Sequence, residues 1–296
     1  MSSILYSLKN TTNEMTDTNK RLSSGLKVSS ALDDPIAYFA AQDHTNEATN
    51  LSSLTDSMGE GIQLLNAADD GIAAITSLIS DAKALAKSAL SADTTNEATR
   101  YMDQFNALLD QIDDQASDSG YQGVNLLGGT DESLDVNFDS IGDSKVTLTG
   151  FNGSSSGLGL STQVLSTGDT SGTITESDTS WLTMSVATAA TATADATYSY
   201  SINKDAINDA IDSLDAAKTT LRSDSKTLST QLSTITNRQT FTNSMIENLN
   251  TGASNLVNAD TNTESANLLA LQTQQSLATS SLSIASSSMQ NVLKLF

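Results

Sequence analysis

The chain has 296 residues, of which 38% are hydrophobic, and its 35 acidic residues outnumber its 14 basic residues to give a net charge of −21. It has no cysteine, which excludes disulfides and thiolate metal sites, and its shortage of cations argues against nucleic-acid binding. No apolar run approaches the roughly 18 residues that a membrane-spanning helix needs. With 4% aromatic residues and one proline, the composition predicts long helices.

The first predicted element is a helix with a coiled-coil seam, because apolar residues recur at alternating steps of four and three. It should end at Gly25, where a glycine follows the poor helix formers Ser23 and Ser24. The seam positions are Ile4, Leu8, Thr11, Met15, Thr18 and Leu22.

Two further helices should follow before residue 120. Asp34 is a good N-cap and Pro35 suits a first helical turn, and an apolar stripe from Leu51 to Ala86 is wide enough for a helix in a bundle. After a polar break at 91–96 a third helix is expected, ending in Ser119-Gly120. Its buried face should consist of Met102, Phe105, Leu109, Ile112 and Ala116.

Periodicity then changes from helical to alternating, which predicts a β-hairpin around the turn at 141–143. Its apolar positions are Leu134, Val136, Phe138, Val146 and Leu148. Residues 151–201 are rich in Gly, Ser and Thr with scattered β formers such as Trp181, so we expect an exposed, mostly extended insertion.

Helical periodicity returns at Ile207, continues to Leu249, and resumes after a polar stretch at 258–263 as a second terminal seam. The predicted fold class is therefore mainly α, with the N- and C-terminal halves pairing as a long antiparallel helical rod and coiled coil. A β-hairpin and a small β-rich central insertion complete it. The second seam consists of Leu268, Leu271, Gln275, Ala278, Leu282, Ala285, Met289, Val292 and Phe296.

The terminal seams have two interpretations that are compatible with each other. They can form a coiled coil within one chain, or a core formed only in a polymer. Each seam buries few large side chains against ordering costs of about 1–2 kcal/mol per residue, which favours the polymer. The predicted self-association residues are Ile4, Leu8, Met15, Leu22, Leu268, Leu271, Leu282, Met289, Val292 and Phe296.

Residues suited to catalysis or metal binding are scarce. The single histidine, His44, is best explained as a surface or interface residue of a helix. Adjacent carboxylates such as Asp69-Asp70 point to different sides of a helix, which makes a solvated face more plausible than an acid/base dyad. We therefore expect no enzymatic activity, no cofactor and no metal.

Several segments together resemble the bacterial flagellins. Arg21–Val28 (RLSSGLKV) and Ser30–Asp34 (SALDD) are similar to a signature of that family. Further similar segments, in the family's order, are Asn66–Ile72 (NAADDGI), Gly120–Leu126 (GYQGVNL), Asn237–Thr242 (NRQTFT) and Gln290–Phe296 (QNVLKLF).

The resemblance implies a structural subunit that polymerises into the extracellular filament used for swimming. Residues 1–33 and 257–296 would form the inner terminal coiled coil, 34–150 and 202–256 the helical rod with its hairpin, and 151–201 the exposed variable region. It also implies terminal helices that are disordered in the free subunit and unfolded type III export. The implied partners are other copies, hook-associated junction and cap proteins, and an export chaperone, with no nucleic acid and no membrane.

The resemblance also implies a face for a mammalian innate receptor at Leu78–Leu85, comprising Ile79, Asp81, Lys83 and Ala84. The recognised form of that segment carries an arginine at the position of Asp81 and a glutamate at that of Ala84. We therefore expect weak recognition.

Three other functions remain open from the sequence. A hook-filament junction protein would share the terminal architecture and the Asp33–Ala37 run (DDPIA). A secreted binding module would use the Thr-rich insertion to recognise a ligand. An enzyme is the weakest alternative, because the insertion lacks histidines for a metal.

Overall fold

Helices dominate the computed structural model, which describes residues 2–139, 141–163, 165–166, 180–188 and 197–293. The mainly α class is confirmed. In these residues the elements are α1 (Ser2–Ser24), α2 (Pro35–Leu90), α3 (Thr95–Asp118), β1 (Ser133–Asn137), β2 (Lys145–Thr149), β3 (Leu165–Ser166), β4 (Leu182–Thr188), β5 (Thr197–Ile202), α4 (Lys204–Val257) and α5 (Thr261–Leu293).

The predicted helix ends are confirmed, and each has a local cause. Gly25 has a φ of 72°, and its N–H donates to the carbonyl of Arg21 at 2.8 Å, which closes α1. A carboxylate oxygen of Asp34 accepts from the backbone N–H groups of Ile36 and Ala37, both at 3.1 Å, and so caps α2. Asp260 caps α5 in the same way.

The chain divides into two compact units. Unit 1 comprises Met1–Ser52 with Thr242–Phe296, and unit 2 comprises Ser53–Phe241. The resemblance implies a different division, at 33/34 and 256/257, between a terminal coiled coil and a rod, and that division stays a prediction. The observed boundary lies inside α2 and α4, because the first turns of α2 pack with the last turns of α4 and belong to the same unit as α1 and α5.

In unit 2, α2 and α4 run antiparallel, so that residues late in α2 meet residues early in α4. Lys83 pairs with Asp215 on α4, and further along Ser225 donates to Asp69 on α2 at 2.8 Å. The buried face of α4 repeats every seven residues, the spacing of a coiled-coil seam. Its members are Ile207, Leu214, Leu221, Leu228 and Ile235, none more than 4% exposed.

Helix α3 and the hairpin complete this core. The five predicted positions on α3 are all buried, from Met102 to Ala116. Strands β1 and β2 pair antiparallel with Val136 opposite Val146, which confirms the hairpin. A Cβ on Gly61 of α2 would lie 2.8 Å from a methyl carbon of Val136, so this glycine lets the hairpin approach the helix closely.

The described part of 151–201 corrects one expectation. It holds strands, with β3 parallel to β4 and β4 antiparallel to β5, and it is therefore extended as predicted. It is not uniformly exposed, because Trp181 is fully buried against the ring of Phe105 at a centroid distance of 4.7 Å. The other buried apolar residues of this segment are Leu158, Leu160 and Leu182.

Candidate self-association surface

The two terminal helices pack on each other within the chain, with the predicted seams facing inward. On α1, Thr11 and Thr18 are buried, and Ile4, Leu8, Met15 and Leu22 are half-buried. On α5, Leu271 is buried, and Leu268, Gln275, Ala278, Leu282 and Ala285 are half-buried. The intramolecular interpretation of the seams is thus what the described residues show. It leaves the polymer interpretation open, because both can hold in one assembly.

Three predicted self-association residues are not part of this buried seam as the structure describes it. Met289 is 51% exposed and so lies outside the buried seam. The side chain of Val292 and the whole of Phe296 lie outside the described residues.

A short segment joins the two seams to the rest of unit 1. Arg21 contacts Glu264 at 3.4 Å, and Lys27 and Val28 donate backbone N–H groups to the carbonyl of Val257. These contacts fix the direction in which the chain leaves α1 and enters α5.

Asp33 organises the loop before α2. One of its carboxylate oxygens accepts from the N–H and hydroxyl groups of Ser29, both at 2.9 Å, and from those of Ser30 at 3.0 and 3.2 Å. These hydrogen bonds, led by the Ser29 hydroxyl, hold the pKa of Asp33 below its ordinary value of 3.8.

Beside this loop, three large apolar side chains are exposed to solvent. Leu32 is 95% exposed, Ile36 is 83% exposed and Phe39 is 57% exposed. We call these three residues the apolar projection. A lone exposed apolar residue is ordinary, but three within eight positions form a patch of the kind that marks a protein interaction site.

A groove of about 440 Å³ lies between the start of α2 and the end of α4. Its apolar lining, which we call the apolar groove, consists of Leu26, Val28, Tyr38, Ala41, Ala253 and Val257. Because successive residues turn by about 100° around a helix, Phe39 and Ala41 lie on opposite sides of α2. The apolar projection and the apolar groove therefore face different directions.

The outward faces of α1 and α5 carry further exposed apolar residues. The seam period does not predict these residues, because they lie off it. The signal was present as apolar residues off the seam. They are Leu5, Tyr6, Leu269, Leu277 and Ile284, between 52% and 69% exposed.

The predicted receptor face is corrected at one position. Ile79 is 1% exposed and belongs to the core of unit 2, because its position on α2 faces the helix bundle. Lys83 is held by its ion pair with Asp215. Asp81 and Ala84 are exposed.

The described residues bear on the expectations for metal binding and for His44. No group of three histidine or carboxylate side chains in the described ranges is close enough to hold a metal ion. His44 is half-buried and lies beside Gly252 of α4, in agreement with its structural interpretation. None of the described helices is long and apolar enough to cross a membrane.

Comparison with known proteins matches both ends of the chain. Residues 1–132 match the bacterial flagellin N-terminal helical region, and residues 205–296 match the bacterial flagellin C-terminal helical region. Flagellin FljM of Caulobacter vibrioides is 30% identical over 294 residues, covering 99% of this chain and 94% of that protein. A flagellin of Brucella melitensis is 27% identical over 292 residues, covering 99% of this chain and 95% of that protein.

Proposed function

Because this chain belongs to the bacterial flagellin family, and is thus a structural subunit of the extracellular flagellar filament rather than an enzyme, we propose that its copies join through the exposed apolar surface of unit 1. The observation that carries this proposal is the apolar projection at Leu32, Ile36 and Phe39. Exposing such side chains to water is unfavourable in the monomer, and burying them between two copies removes this cost.

The occupant we assign to the apolar groove is the apolar projection of a second copy. Six of the eleven residues that line the groove are apolar and suit an apolar side chain, and the groove and the projection lie on opposite sides of α2. A contact between different surfaces of identical molecules is heterologous, and it leaves one free surface of each kind at the ends. Such a contact continues into rings or open helical polymers instead of closing at a dimer.

The predicted self-association residues on the seams take a supporting role in this proposal. By holding α1 against α5, residues such as Leu22 and Leu271 present the outward apolar residues of both helices to neighbouring copies. We propose that the terminal coiled coil comprises 1–33 and 257–296 and that it lies at the contact between subunits. Residues 34–150 with 202–256 would then form the helical rod domain.

The same surface suggests how an export chaperone and the hook-associated junction and cap proteins would bind. An export chaperone would cover exposed apolar residues such as Leu277 before type III export, since this subunit must stay unassembled inside the cell. Junction and cap proteins would meet the unpaired surfaces at the two filament ends. Direct binding measurements with purified partners, comparing the native chain with Leu277→Ser, test both assignments.

Weak recognition by the mammalian innate receptor is a further proposal. Asp81 and Ala84 are exposed on α2 and replace the arginine and glutamate of the recognised form, so we infer weak recognition by the innate receptor. Potent activation of receptor-bearing cells by the purified monomer would contradict it.

The decisive experiment replaces the apolar projection and leaves the core untouched. The variant Ile36→Asp with Phe39→Asp is compared with the native chain by sedimentation and electron microscopy after seeding with short filament fragments. We expect at least a tenfold higher critical concentration, because two large apolar side chains lose their burial, worth about 1.5–3 kcal/mol each when complete.

A matched control is Ile141→Asp, since Ile141 is 82% exposed but lies in the hairpin turn of unit 2. It should polymerise like the native chain. Far-UV circular dichroism checks that all variants keep their helices. Filament formation by the projection variant at the native critical concentration would refute the proposed surface.

A further inference from the structure

Cations are concentrated in one place on unit 2 of this acidic chain. Five of the chain's 14 basic residues lie at 83–87 on α2 and 218–226 on α4. We call these five residues, Lys83, Lys87, Lys218, Arg222 and Lys226, the cationic band. The two helices are adjacent there, because Lys218 donates to the hydroxyl of Ser80 at 3.2 Å.

Within the band, the three α4 cations form a ladder with a step of four residues. Side chains four apart lie on the same helix face, so Arg222 has a cation on each side, at Lys218 and Lys226. No carboxylate occupies the positions three or four residues before or after Arg222. Like charges at this spacing destabilise an isolated helix. Asp215 offsets part of the charge of Lys83, Lys87 and Lys218, and its pKa is lowered by them. Arg222 and Lys226, both exposed, form none of the ion pairs of the described residues and can take a carboxylate from a neighbouring molecule.

Helix α3 carries the opposite ladder. We call Asp103, Asp110, Asp114 and Asp118 the acidic ladder, and all four side chains are exposed. Asp114 has a carboxylate four residues away on both sides and no cation at three or four residues. The last three carboxylates share the step of the cations, about 6 Å at 1.5 Å per residue.

The two ladders do not neutralise each other within the chain. The ion pairs formed by the described residues are Arg21–Glu264, Lys83–Asp215 and Lys145–Asp135. Lys218, which starts the α4 ladder, lies on the side of α4 that contacts Ser80 of α2, whereas the acidic ladder lies on the side of α3 opposite its buried residues. The ladders are therefore two separate surfaces of unit 2 with equal spacing and opposite charge.

We propose that the cationic band of one subunit binds the acidic ladder of a neighbouring subunit in the filament. This inference rests on the polymerisation of the chain but is independent of the apolar surface in unit 1. Exposed ion pairs are individually weak, but a ladder adds them along one line and selects the register and partner of the contact. The contact is heterologous, since each subunit offers one surface of each sign.

The test reverses charge on each ladder separately and then on both. The variants are Arg222→Glu with Lys226→Glu, and Asp114→Lys with Asp118→Lys; all four native side chains are exposed. At low ionic strength and with seeds of native filament, each should raise the critical concentration about tenfold, equivalent to about 1.4 kcal/mol. The mechanism is replacement of opposite charges by like charges at the contact.

The four substitutions combined in one chain provide the control for net charge, which returns to the native −21. This quadruple variant should assemble within about threefold of the native critical concentration, as should an equimolar mixture of the two double variants. Sedimentation measures each critical concentration, and thermal unfolding of the monomers confirms that the fold is intact.

The possible outcomes separate this inference from the function. A native chain that forms no filaments contradicts the function itself. If the native chain forms filaments and both double variants assemble equally well, the ladder contact is wrong but the function stands. The ladder contact is also wrong if the double variants are impaired and neither the quadruple variant nor the mixture restores assembly. Restored assembly both in the quadruple variant and in the mixture of the two double variants supports the contact.

Discussion

Replacing leucines at two positions separates the energy of folding from the energy of polymerisation. Leu214 on α4 is fully buried in the core of unit 2, whereas Leu277 on α5 is 63% exposed. The same substitution, Leu→Ala, removes the same atoms at both positions. If the outward apolar residues serve contact between copies, the two variants must fail in different assays.

The expected magnitudes follow from burial. Leu214→Ala should lower the free energy of unfolding by about 2–5 kcal/mol, which corresponds to a melting temperature lower by roughly 5–15 °C for a unit of this size. Burying a whole leucine side chain is worth about 1.5–3 kcal/mol, so the 63% of Leu277 that is exposed has about 1–2 kcal/mol left to gain in the filament. Losing it should raise the critical concentration about 5- to 30-fold.

Thermal unfolding of the monomer and sedimentation of seeded filaments measure the two quantities. Sedimentation is carried out well below both melting points, so that Leu214→Ala is folded and assembles close to the native critical concentration. Leu277→Ala should melt like the native chain. A native critical concentration for Leu277→Ala would show that its exposed face contacts no other copy and would refute the reasoning.

Three further predictions test other parts of the structure. Gly71→Ala should destabilise unit 2 by about 1–3 kcal/mol, because the added Cβ would lie 2.7 Å from the Cβ of Ser119, which is too close for van der Waals contact. Gly59→Ala has space, with its nearest neighbour 3.9 Å away, and should gain up to about 1 kcal/mol of helix propensity; thermal melts compare the two variants. The lowered pKa of Asp33 means that its hydrogen bonds stabilise the loop before α2 fully above the ordinary value of 3.8, and that this stability is lost as pH falls through the lower folded-state pKa. The hydrogen-exchange protection factors of the Ser29 and Ser30 amides, which correct for the intrinsic slowing of exchange in acid, should therefore fall as pH is lowered, and Asp33→Asn should abolish that dependence. Trp181, the only tryptophan in the sequence, is fully buried and should emit at short wavelength and resist iodide quenching, and quenching as strong as that of free tryptophan would contradict its place in the core.

The sequence predicts the helical part of the fold closely, because each helix carries its own start, stop and period. Asp34, Pro35 and Gly25 act through groups within a few residues of themselves, which makes their effects local and readable. The seams on α1 and α5 were predictable for the same reason, since a seam is a property of one helix.

The self-association surface was less predictable, because exposure depends on which neighbours a helix has. The seam period separates Leu271, which is buried, from Leu277, which is 63% exposed, but it does not say whether a second copy covers Leu277. The burial of Trp181 could not be predicted for a related reason. It lies in a segment rich in serine and threonine, and a contact that buries it comes from Phe105, 76 positions away.

The charge of the chain constrains how these surfaces can act together. At −21, two copies repel each other at a distance, and this repulsion opposes any contact until salt screens it over about 10 Å at 0.1 M. The apolar projection supplies attraction without regard to charge, but apolar contact is non-directional and tolerates many registers. A ladder of opposite charges contributes little binding energy, but it selects the register of the contact. Assembly of so acidic a subunit into one regular filament therefore follows from dividing the two tasks, with apolar burial in unit 1 driving association and the charged ladders of unit 2 selecting its geometry.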